Sequence, residues 1–329
     1  MRRSRIIGTG SYLPSRSVSN DEVGRAVGLD ADAVFRRTGI RTRRWAADAE
    51  ASSDLAAHAA RAACAAAGLP PDQLDAIIVS STSPDMAFPS TGCHLQRALG
   101  VRGIPAFDIS ASCSGFLYAL SMADAFIRGG QFQRCLVLAA EIKSRTLDPS
   151  DEATAVVFGD GAGAAIMVPD ERADGRHGLL GLRLFADGSR RGLIGIDAGG
   201  SRRPATVQTV RERAHALRMH GGPLFRVAVR RLAGAVLETL KEFGVTVDEV
   251  SAAVFHQANQ RIMDAVVERV GLPPDRLYSV IERFGNTSSA SLPIALDHAV
   301  REGRIREHDL VLLGTFGGGL TWASGLMRW

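Results

Sequence analysis

Aromatic residues, cysteine and long apolar segments are scarce in this sequence. It contains three tyrosines and three tryptophans among 329 residues. Its basic clusters therefore lack interleaved aromatics on which nucleic-acid bases could stack, and a nucleic-acid partner is disfavoured. No apolar run is long enough to span a bilayer, and the N-terminal segment has no signal-peptide core. We therefore expect a cytoplasmic protein that makes no membrane contact.

The cysteines are too few and too widely spaced for a zinc site. Cys64, Cys93, Cys113 and Cys135 are 29, 20 and 22 residues apart, and no zinc motif has these spacings. We therefore predict no bound metal. In a reducing compartment each cysteine is either a small core residue or a reactive thiol.

The residues that are abundant indicate a compact α/β protein. Hydrophobic residues make up 46% of the chain and charged residues 22%, which is enough to bury a sizeable core. Apolar runs of strand length alternate with helical stretches, as is typical of sheets covered on both faces. The first part is predicted to contain helix 53–67, strand 75–80, helix 91–99, strand 104–109, helix 114–128, strand 135–140 and a hairpin over 154–168. The second is predicted to contain helix 223–243, strand 251–256, helix 259–270, strand 277–283, helix 288–302, strand 310–316 and strand 321–328.

The order of these elements repeats, which predicts an internal duplication. Residues 68–79 (GLPPDQLDAIIV) align with residues 244–255 (GVTVDEVSAAVF). Both segments share a glycine that ends a helix, an aspartate and the start of a buried strand. We therefore predict two similar halves, residues 1–169 and 170–329. Residues 170–222 do not fit the repeat and are predicted to form a short strand pair with loops.

Three polar side chains follow predicted strands, at the edge where open α/β sheets bind ligands. Cys113 precedes the predicted helix 114–128, where the positive end of the helix dipole favours a thiolate. His256 ends a predicted strand, and Asn286 precedes the predicted helix 288–302. In the duplicated scheme Asn286 holds about the position that Cys113 holds in the first half. We therefore predict that the three side chains meet between the halves.

Two glycine-rich segments have different predicted roles. Residues 316–319 (FGGG) bring bare backbone N–H groups to the same sheet edge, which suits an oxyanion hole. Residues 158–163 (FGDGAG) look like a phosphate loop but lead into a predicted strand instead of a helix. We therefore interpret residues 158–163 as a tight structural turn.

Four ordered motifs resemble those of the β-ketoacyl-acyl-carrier-protein synthase III family, whose members begin fatty-acid or polyketide chains. The motifs are residues 108–116 (DISASCSGF), 256–259 (HQAN), 285–289 (GNTSS) and 316–322 (FGGGLTW). The similarity runs nearly end to end. It implies a thiolase-like fold in which two similar α/β halves form five layers in the order αβαβα.

The resemblance also implies a reaction. Cys113 would accept an acyl primer from a thioester, and the N–H groups of Cys113 and Gly318 would form the oxyanion hole. His256 and Asn286 would stabilise the enolate that forms when malonyl-acyl carrier protein loses CO₂, and this carbanion would attack the acyl-cysteine. Phe316 would pack against the malonyl group. No cofactor is implied, because decarboxylation supplies the driving force.

Further positions take roles from the resemblance. Phe88 would close the acyl pocket of a neighbouring subunit, which implies a homodimer. Arg37 would meet a phosphate, and Asn259 would lie in the substrate site. Arg226 and Arg261 match the positive face on which the acidic acyl carrier protein docks.

Three positions depart from the family pattern. Where the family has a tryptophan that stacks on the adenine of coenzyme A this sequence has Ala33, and where it has an arginine covering the base there is Glu152. An asparagine of the pantetheine tunnel is replaced by Gly222. The missing contacts are worth about 1–2 kcal/mol each. We therefore predict a primer other than ordinary acetyl-CoA, carried on a carrier protein as in specialised metabolism.

Two alternative functions stay open at this point. The first is an acyltransferase on the same fold that moves the acyl group to a hydroxyl or amine of a specialised metabolite without decarboxylation. The second is a non-catalytic, acyl-binding partner subunit, although such a protein has no need of the nucleophile Cys113.

Overall fold

Two five-stranded sheets form the framework of the protein. The computed structural model describes residues 3–171 and 177–329. The strands are β1 (Arg3–Tyr12), β2 (Arg16–Ser19), β3 (Thr42–Trp45), β4 (Ala76–Ser80), β5 (Ala106–Ile109), β6 (Cys135–Glu141), β7 (Gly161–Asp170), β8 (Gly178–Ala186), β9 (Ile194–Ile196), β10 (Leu217–Met219), β11 (Ala252–Phe255), β12 (Leu277–Tyr278), β13 (Leu310–Gly317) and β14 (Thr321–Arg328).

Helices connect and cover the strands. They are α1 (Asn20–Arg25), α2 (Ala31–Thr38), α3 (Ser52–Ala67), α4 (Thr91–Leu99), α5 (Gly115–Arg128), α6 (Glu152–Ala155), α7 (Val207–Arg211), α8 (Gly221–Glu242), α9 (Gln260–Val270), α10 (Ile281–Phe284) and α11 (Ser291–Arg301). Among the described residues, no helix combines the length and the apolar character that crossing a bilayer requires.

The two sheets have the same strand order. The first runs β1-β7-β6-β4-β5 and the second runs β8-β14-β13-β11-β12. In each sheet the last three strands are parallel to one another, the second strand pairs antiparallel with the third, and the first pairs antiparallel with the second. The first sheet takes its strands from residues 3–170 and the second from residues 178–328. This distribution supports the division that we propose at residues 169 and 170.

Helices α5 and α11 lie between the sheets. Their buried side chains, including Phe116, Leu120, Leu292 and Ile294, share one apolar core with residues of both sheets. The outer face of the first sheet is covered by α3 and α4, and that of the second by α8 and α9. The layers therefore follow the predicted order αβαβα, and α5 and α11 are buried over most of their length.

Three predictions about individual elements are wrong. Residues 154–168 form no hairpin, because α6 is followed by the single strand β7, which pairs with β1 on one side and β6 on the other. Residues 277–283 contain only the two-residue strand β12, because the chain turns into α10 at Ile281. Within residues 170–222, the predicted short pair exists as β9 and β10, but the nine-residue strand β8 also joins the second sheet.

Candidate active site

Cys113 lies on a sharp turn between β5 and α5. The preceding residue, Ser112, has a φ of 51°, a left-handed conformation that is uncommon outside glycine. A short 3₁₀ turn at Ser112–Ser114 then leads into α5. Gly317 packs directly against this turn, since a Cβ atom at that position would lie 2.7 Å from the Cys113 nitrogen. The turn therefore holds the thiol at the end of the sheet, two residues before α5 begins.

The Cys113 thiol is buried, and its Sγ lies 3.5 Å from Ser288 Oγ. Burial raises the pKa of the thiol above its ordinary value, and the hydrogen bond with Ser288 and the Lys143 cation oppose that rise without cancelling it. The net effect is a raised pKa, which favours the neutral thiol. The position at a helix N-terminus alone predicts a thiolate.

His256 follows β11 and is buried. Its Nδ1 contacts Ser291 Oγ, and the same oxygen accepts the N–H of Gln257 at 3.1 Å. The Ser291 hydroxyl has no other acceptor among the described residues, so we assign it as the donor to Nδ1, which places the imidazole proton on Nε2. Burial lowers the pKa of His256 to about 3. The imidazole is therefore a neutral N–H donor at physiological pH.

The side-chain amide of Asn286 is fixed in one orientation. Its Oδ1 accepts the N–H of Ser288 at 2.8 Å, and its Nδ2 lies 3.4 Å from the carbonyl oxygen of Ala258. The main chain is also held, because Asn286 N donates to Val157 O and Asn286 O accepts from Gly159 N, each at 3.0 Å. The NH₂ group has two hydrogens and one acceptor among the described residues, so a second hydrogen is left to serve a ligand.

Two cavities meet at Cys113. One, which we call the histidine cavity, has a volume of about 640 Å³ and is lined by Cys113, His256, Asn286 and Phe316. The other, which we call the lysine cavity, has a volume of about 620 Å³ and is lined by Cys113, Lys143 and neighbouring residues. The structure therefore brings the three predicted catalytic side chains together, and it adds a second space on which Cys113 also borders.

The predicted oxyanion-hole donor Gly318 lies beside Cys113 and lines the histidine cavity. In this structure its N–H donates to Ser112 Oγ at 3.2 Å. A substrate oxygen would have to take the place of that hydroxyl to receive the hydrogen bond.

A buried ion pair near Cys113 was not predicted from the sequence. Glu141, at the end of β6, lies 3.2 Å from Lys143 Nζ and accepts hydrogen bonds from Ser288, Ser289 and Thr82. Burial acts to raise the pKa of the Glu141 carboxyl, but the Lys143 cation and hydrogen bonds from Ser83, Ser289 and Thr82 outweigh it and hold the pKa below its ordinary value. The sequence feature that could have indicated this ion pair is a charged residue, Glu141, placed directly after a run of apolar strand residues.

Other predicted residues surround the entrance to the histidine cavity. Asn259 lines this cavity, caps α9 by accepting the N–H of Arg261 at 2.9 Å, and donates to Arg37 O at 3.0 Å. The Arg37 side chain forms an ion pair with Glu152. Arg226 and Arg261 are exposed on α8 and α9, next to residues that line the cavity. Within the described part of the chain, neither arginine forms an ion pair.

Phe88 lies away from this group. It borders neither cavity of its own chain, and the residue is 86% exposed. Met86, two residues earlier, is 47% exposed. The resemblance places Phe88 in the pocket of another subunit, and its exposure here is compatible with that position.

The predicted equivalence of Asn286 and Cys113 is wrong. Ser288 has a φ of 52°, like Ser112 at 51°, and each begins a 3₁₀ turn that leads into a helix between the sheets. The second-half counterpart of Cys113 is therefore Ser289. Asn286 reaches the site because α10 is inserted before this turn.

Family comparisons agree with the motifs. The family model of 3-oxoacyl-(acyl-carrier-protein) synthase III matches residues 107–188, and the model of the C-terminal part of these synthases matches residues 240–329. Together they cover more than half of the chain. The chain belongs to the 3-oxoacyl-(acyl-carrier-protein) synthase III family.

Individual synthase III relatives are similar over the whole chain. The β-ketoacyl-(acyl-carrier-protein) synthase III of Rhizorhabdus wittichii is 46% identical over 329 residues and covers 100% of both chains. The crystal structure of the Aquifex aeolicus synthase III is 40% identical, with a TM-score of 0.92 over 99% of this chain and 100% of that one. A priming β-ketosynthase of a polyketide pathway is 35% identical, with a TM-score of 0.90 over 99% and 96%. The shared fold is the predicted thiolase-like fold.

Proposed function

We propose that this protein loads an acyl primer on Cys113 and extends it by decarboxylative condensation with malonyl-acyl carrier protein. The observation that carries the proposal is the cavity in which Cys113 faces two neutral donors, His256 and Asn286. Simple acyl transfer to an alcohol or amine needs a general base. His256 is poorly suited to that role in the tautomer assigned above, because its Nδ1 accepts from Ser291 and its Nε2 carries the proton. This feature favours condensation over the acyltransferase alternative.

In the first step, Cys113 Sγ attacks the carbonyl carbon of the primer thioester. A carbon–sulphur bond to Cys113 forms as the bond to the carrier sulphur breaks, and the proton of the Cys113 thiol passes to the departing thiolate. The negative charge that develops on the carbonyl oxygen would be stabilised by the N–H groups of Cys113 and Gly318. That oxygen displaces the Ser112 hydroxyl from Gly318.

In the second step, the malonyl thioester enters the histidine cavity. Loss of CO₂ leaves an electron pair on the adjacent carbon, and the thioester oxygen becomes an enolate oxygen that accepts hydrogen bonds from His256 Nε2 and Asn286 Nδ2. The carbanion attacks the acyl-Cys113 carbonyl, the new carbon–carbon bond forms, and Cys113 leaves as a thiolate that regains its proton from solvent. Two donors already fixed by Ser291 and Ser288 lose little freedom when this charge develops.

The primer is proposed to arrive on a carrier protein and not as acetyl-CoA. Ala33 on α2 offers no ring for an adenine. Arg37, which would meet a phosphate, is instead paired with Glu152. A nucleotide phosphate would have to compete with that carboxylate and would also be repelled by it.

The carrier protein is proposed to dock at Arg226 and Arg261. Both are exposed beside the histidine cavity and have no acidic partner among the described residues. An acidic carrier helix could therefore pair with them while its prosthetic arm enters the cavity. The exposed Phe88 supports the homodimer that the family resemblance implies, because burying it against a partner would remove a large apolar side chain from water. The proposed location is the cytoplasm.

The reaction can be tested in two stages. The protein is first mixed with acyl-carrier proteins and acyl-CoAs, and intact mass reports acylation of Cys113. Malonyl-carrier protein is then added, and chain extension and CO₂ are measured. We expect extension in the wild type. In Asn286→Ala we expect acylation, but extension slowed by about 100- to 1000-fold, as for the loss of an oxyanion donor.

Other outcomes separate the alternatives. An acylated enzyme that never extends but passes its acyl group to a small alcohol or amine would establish acyl transfer. Absence of acylation with every thioester would favour a non-catalytic subunit. Efficient acylation by micromolar acetyl-CoA would contradict the proposed carrier-bound primer without affecting the condensation proposal. Cys93→Ser, which removes an exposed thiol away from both cavities, is the matched control.

A further inference from the structure

The lysine cavity has features that the condensation reaction does not use. It borders on Cys113 but not on His256 or Asn286, which line only the histidine cavity. If the malonyl thioester occupies the histidine cavity, the acyl group on Cys113 extends into the other one. We propose that the lysine cavity selects an acyl group carrying an uncharged oxygen, a hydroxyl or a carbonyl, that accepts a hydrogen bond from Lys143. This inference rests on the proposed function, because it requires an acyl group on Cys113.

The wall of this cavity is apolar on one side and polar on the other. Phe158, Ile196 and Leu217 supply apolar surface. Thr82 and Lys143 supply polar atoms, and Lys143 Nζ donates to Thr82 Oγ1. Both of these residues line the same space, and the proposal places the ammonium group at its surface. A purely alkyl acyl chain would leave this polar side without a partner.

The ammonium group of Lys143 has one N–H to spare. Its three hydrogens have two partners among the described residues, Thr82 Oγ1 and the Glu141 carboxylate at 3.2 Å. The side chain of Lys143 is only 6% exposed, so bulk water has little access to the third hydrogen. A buried donor without a partner costs about 1–3 kcal/mol. An oxygen on the bound acyl group would remove that cost.

The charge of the pair indicates that this oxygen is uncharged. Glu141 already neutralises Lys143, and it also accepts hydrogen bonds from Ser288 and Ser289. A carboxylate on the acyl group would be attracted by the lysine and repelled by the glutamate behind it. It would also lose its hydration shell with no net positive charge to compensate. A hydroxyl or carbonyl oxygen avoids both penalties.

The identity of the cation is itself unusual in this chain. The sequence contains two lysines and 37 arginines, so arginine is the ordinary cation and a lysine here is an exception. The compact ammonium fits between Thr82, Glu141 and the cavity, whereas a planar guanidinium requires more room. The second lysine, Lys241, is exposed near the end of α8 and provides a matched control for the same chemical change.

The test compares acyl groups of equal length with and without an oxygen. Carrier-bound butanoyl is compared with 3-hydroxybutanoyl, and hexanoyl with 5-oxohexanoyl, and acylation of Cys113 is followed by intact mass under single-turnover conditions. We expect at least one oxygen-bearing group to acylate Cys113 about 10- to 100-fold faster than its alkyl counterpart, as for a hydrogen bond to a charged group. In Lys143→Met this ratio should fall to about one, whereas Lys241→Met should keep the wild-type ratio.

Lys143→Met leaves Glu141 as a buried charge without its cation. The double variant Glu141→Gln/Lys143→Met removes both charges of the pair and therefore serves as a second variant. The proposal predicts a ratio near one in that variant as well. Equal rates for both members of each pair in the wild type, or a preference that survives both variants, would overturn the inference and leave the proposed function intact. A glutaryl group that outcompetes 5-oxohexanoyl would overturn the choice of an uncharged oxygen. Failure of every acyl group to load would overturn the proposed function and this inference with it.

Discussion

The turn that carries Cys113 and the turn that carries Ser289 have the same backbone conformation, but different residues pack against them. Each follows a residue with a left-handed φ, and each leads into a helix between the sheets. Gly317 packs against Cys113, and the register of the strands places Glu141 at the position equivalent to Gly317. Glu141 accepts the Ser289 hydroxyl at 2.7 Å. One turn therefore has space in front of it, and the other is filled by a carboxylate.

This difference shows how a duplicated fold can keep a single site. The glycine leaves room for two cavities to reach Cys113, whereas the glutamate and its lysine close the space at Ser289. The second half contributes His256 and Asn286 instead of a nucleophile. The carboxylate that fills the second turn also fixes Lys143, so the closed position helps to shape a cavity at the open one.

The largest effect is expected from replacing the side chain at each of the two turns by alanine. Cys113→Ala should lower the acylation rate by about 10⁴-fold or more, because the proposed nucleophile is removed. Ser289→Ala should change it by no more than about threefold, because that hydroxyl donates to Glu141 and to Ser80 O and lines neither cavity. Intact mass and peptide mapping after incubation with an acyl thioester measure both. Acyl label on Ser289 in the Cys113→Ala protein would contradict the distinction between an open and a closed turn.

The next largest effect concerns the filled turn. Glu141→Ala should lower the free energy of unfolding by about 3–5 kcal/mol, because Lys143 becomes a buried charge without a partner. Glu141→Ala/Lys143→Met should recover part of this loss, since the uncompensated charge is gone. Urea unfolding followed by circular dichroism measures both. If Glu141→Ala lowers the free energy of unfolding by less than about 1 kcal/mol, the ion pair does not stabilise the packing at this turn.

Much of this arrangement could be predicted from the sequence, and the missed parts have physical causes. The alignment of Gly68 with Gly244 predicted the duplication. In the structure each of these glycines has a positive φ at the end of a helix. The same offset of 176 residues leads from Cys113 to Ser289. The prediction chose Asn286 because it extended a strand to residue 283, where the structure has α10.

The cavity wall could not be predicted in the same way. Glu141 is the last residue of β6 and Lys143 lies two residues beyond it, in a segment with no periodicity, and a charged residue at the end of a strand usually faces solvent. Their burial depends on Thr82 and Ser289, which come from other segments of the chain. Only the folded arrangement brings those hydroxyls to the carboxylate. Local patterns predicted that Cys113, His256 and Asn286 lie together, and tertiary contacts determined what surrounds them.

The smallest expected effect concerns His256, whose counterpart at the same offset is Ser80. Its pKa is about 3 in the folded protein against an ordinary value of 6.5. Below pH 6.5 the unfolded chain therefore binds a proton that the folded protein does not, so stability falls as the pH decreases. From pH 7.5 to 5.5 this contribution is about 1.4 kcal/mol. His256→Ser, which makes the two halves alike at this position, should reduce the acid-induced loss of stability by that amount.

Urea midpoints of wild type and His256→Ser at pH 7.5 and 5.5 measure this difference, and His220→Gln, at an exposed histidine, controls for the loss of an imidazole. The absolute stability of His256→Ser is not the readout, because the variant also loses buried contacts, and only its dependence on pH isolates the proton. An unchanged pH dependence in His256→Ser would mean that the imidazole takes up a proton in the folded protein. It would then be charged during turnover in mildly acidic solution, and a neutral donor could no longer be assigned to the second half.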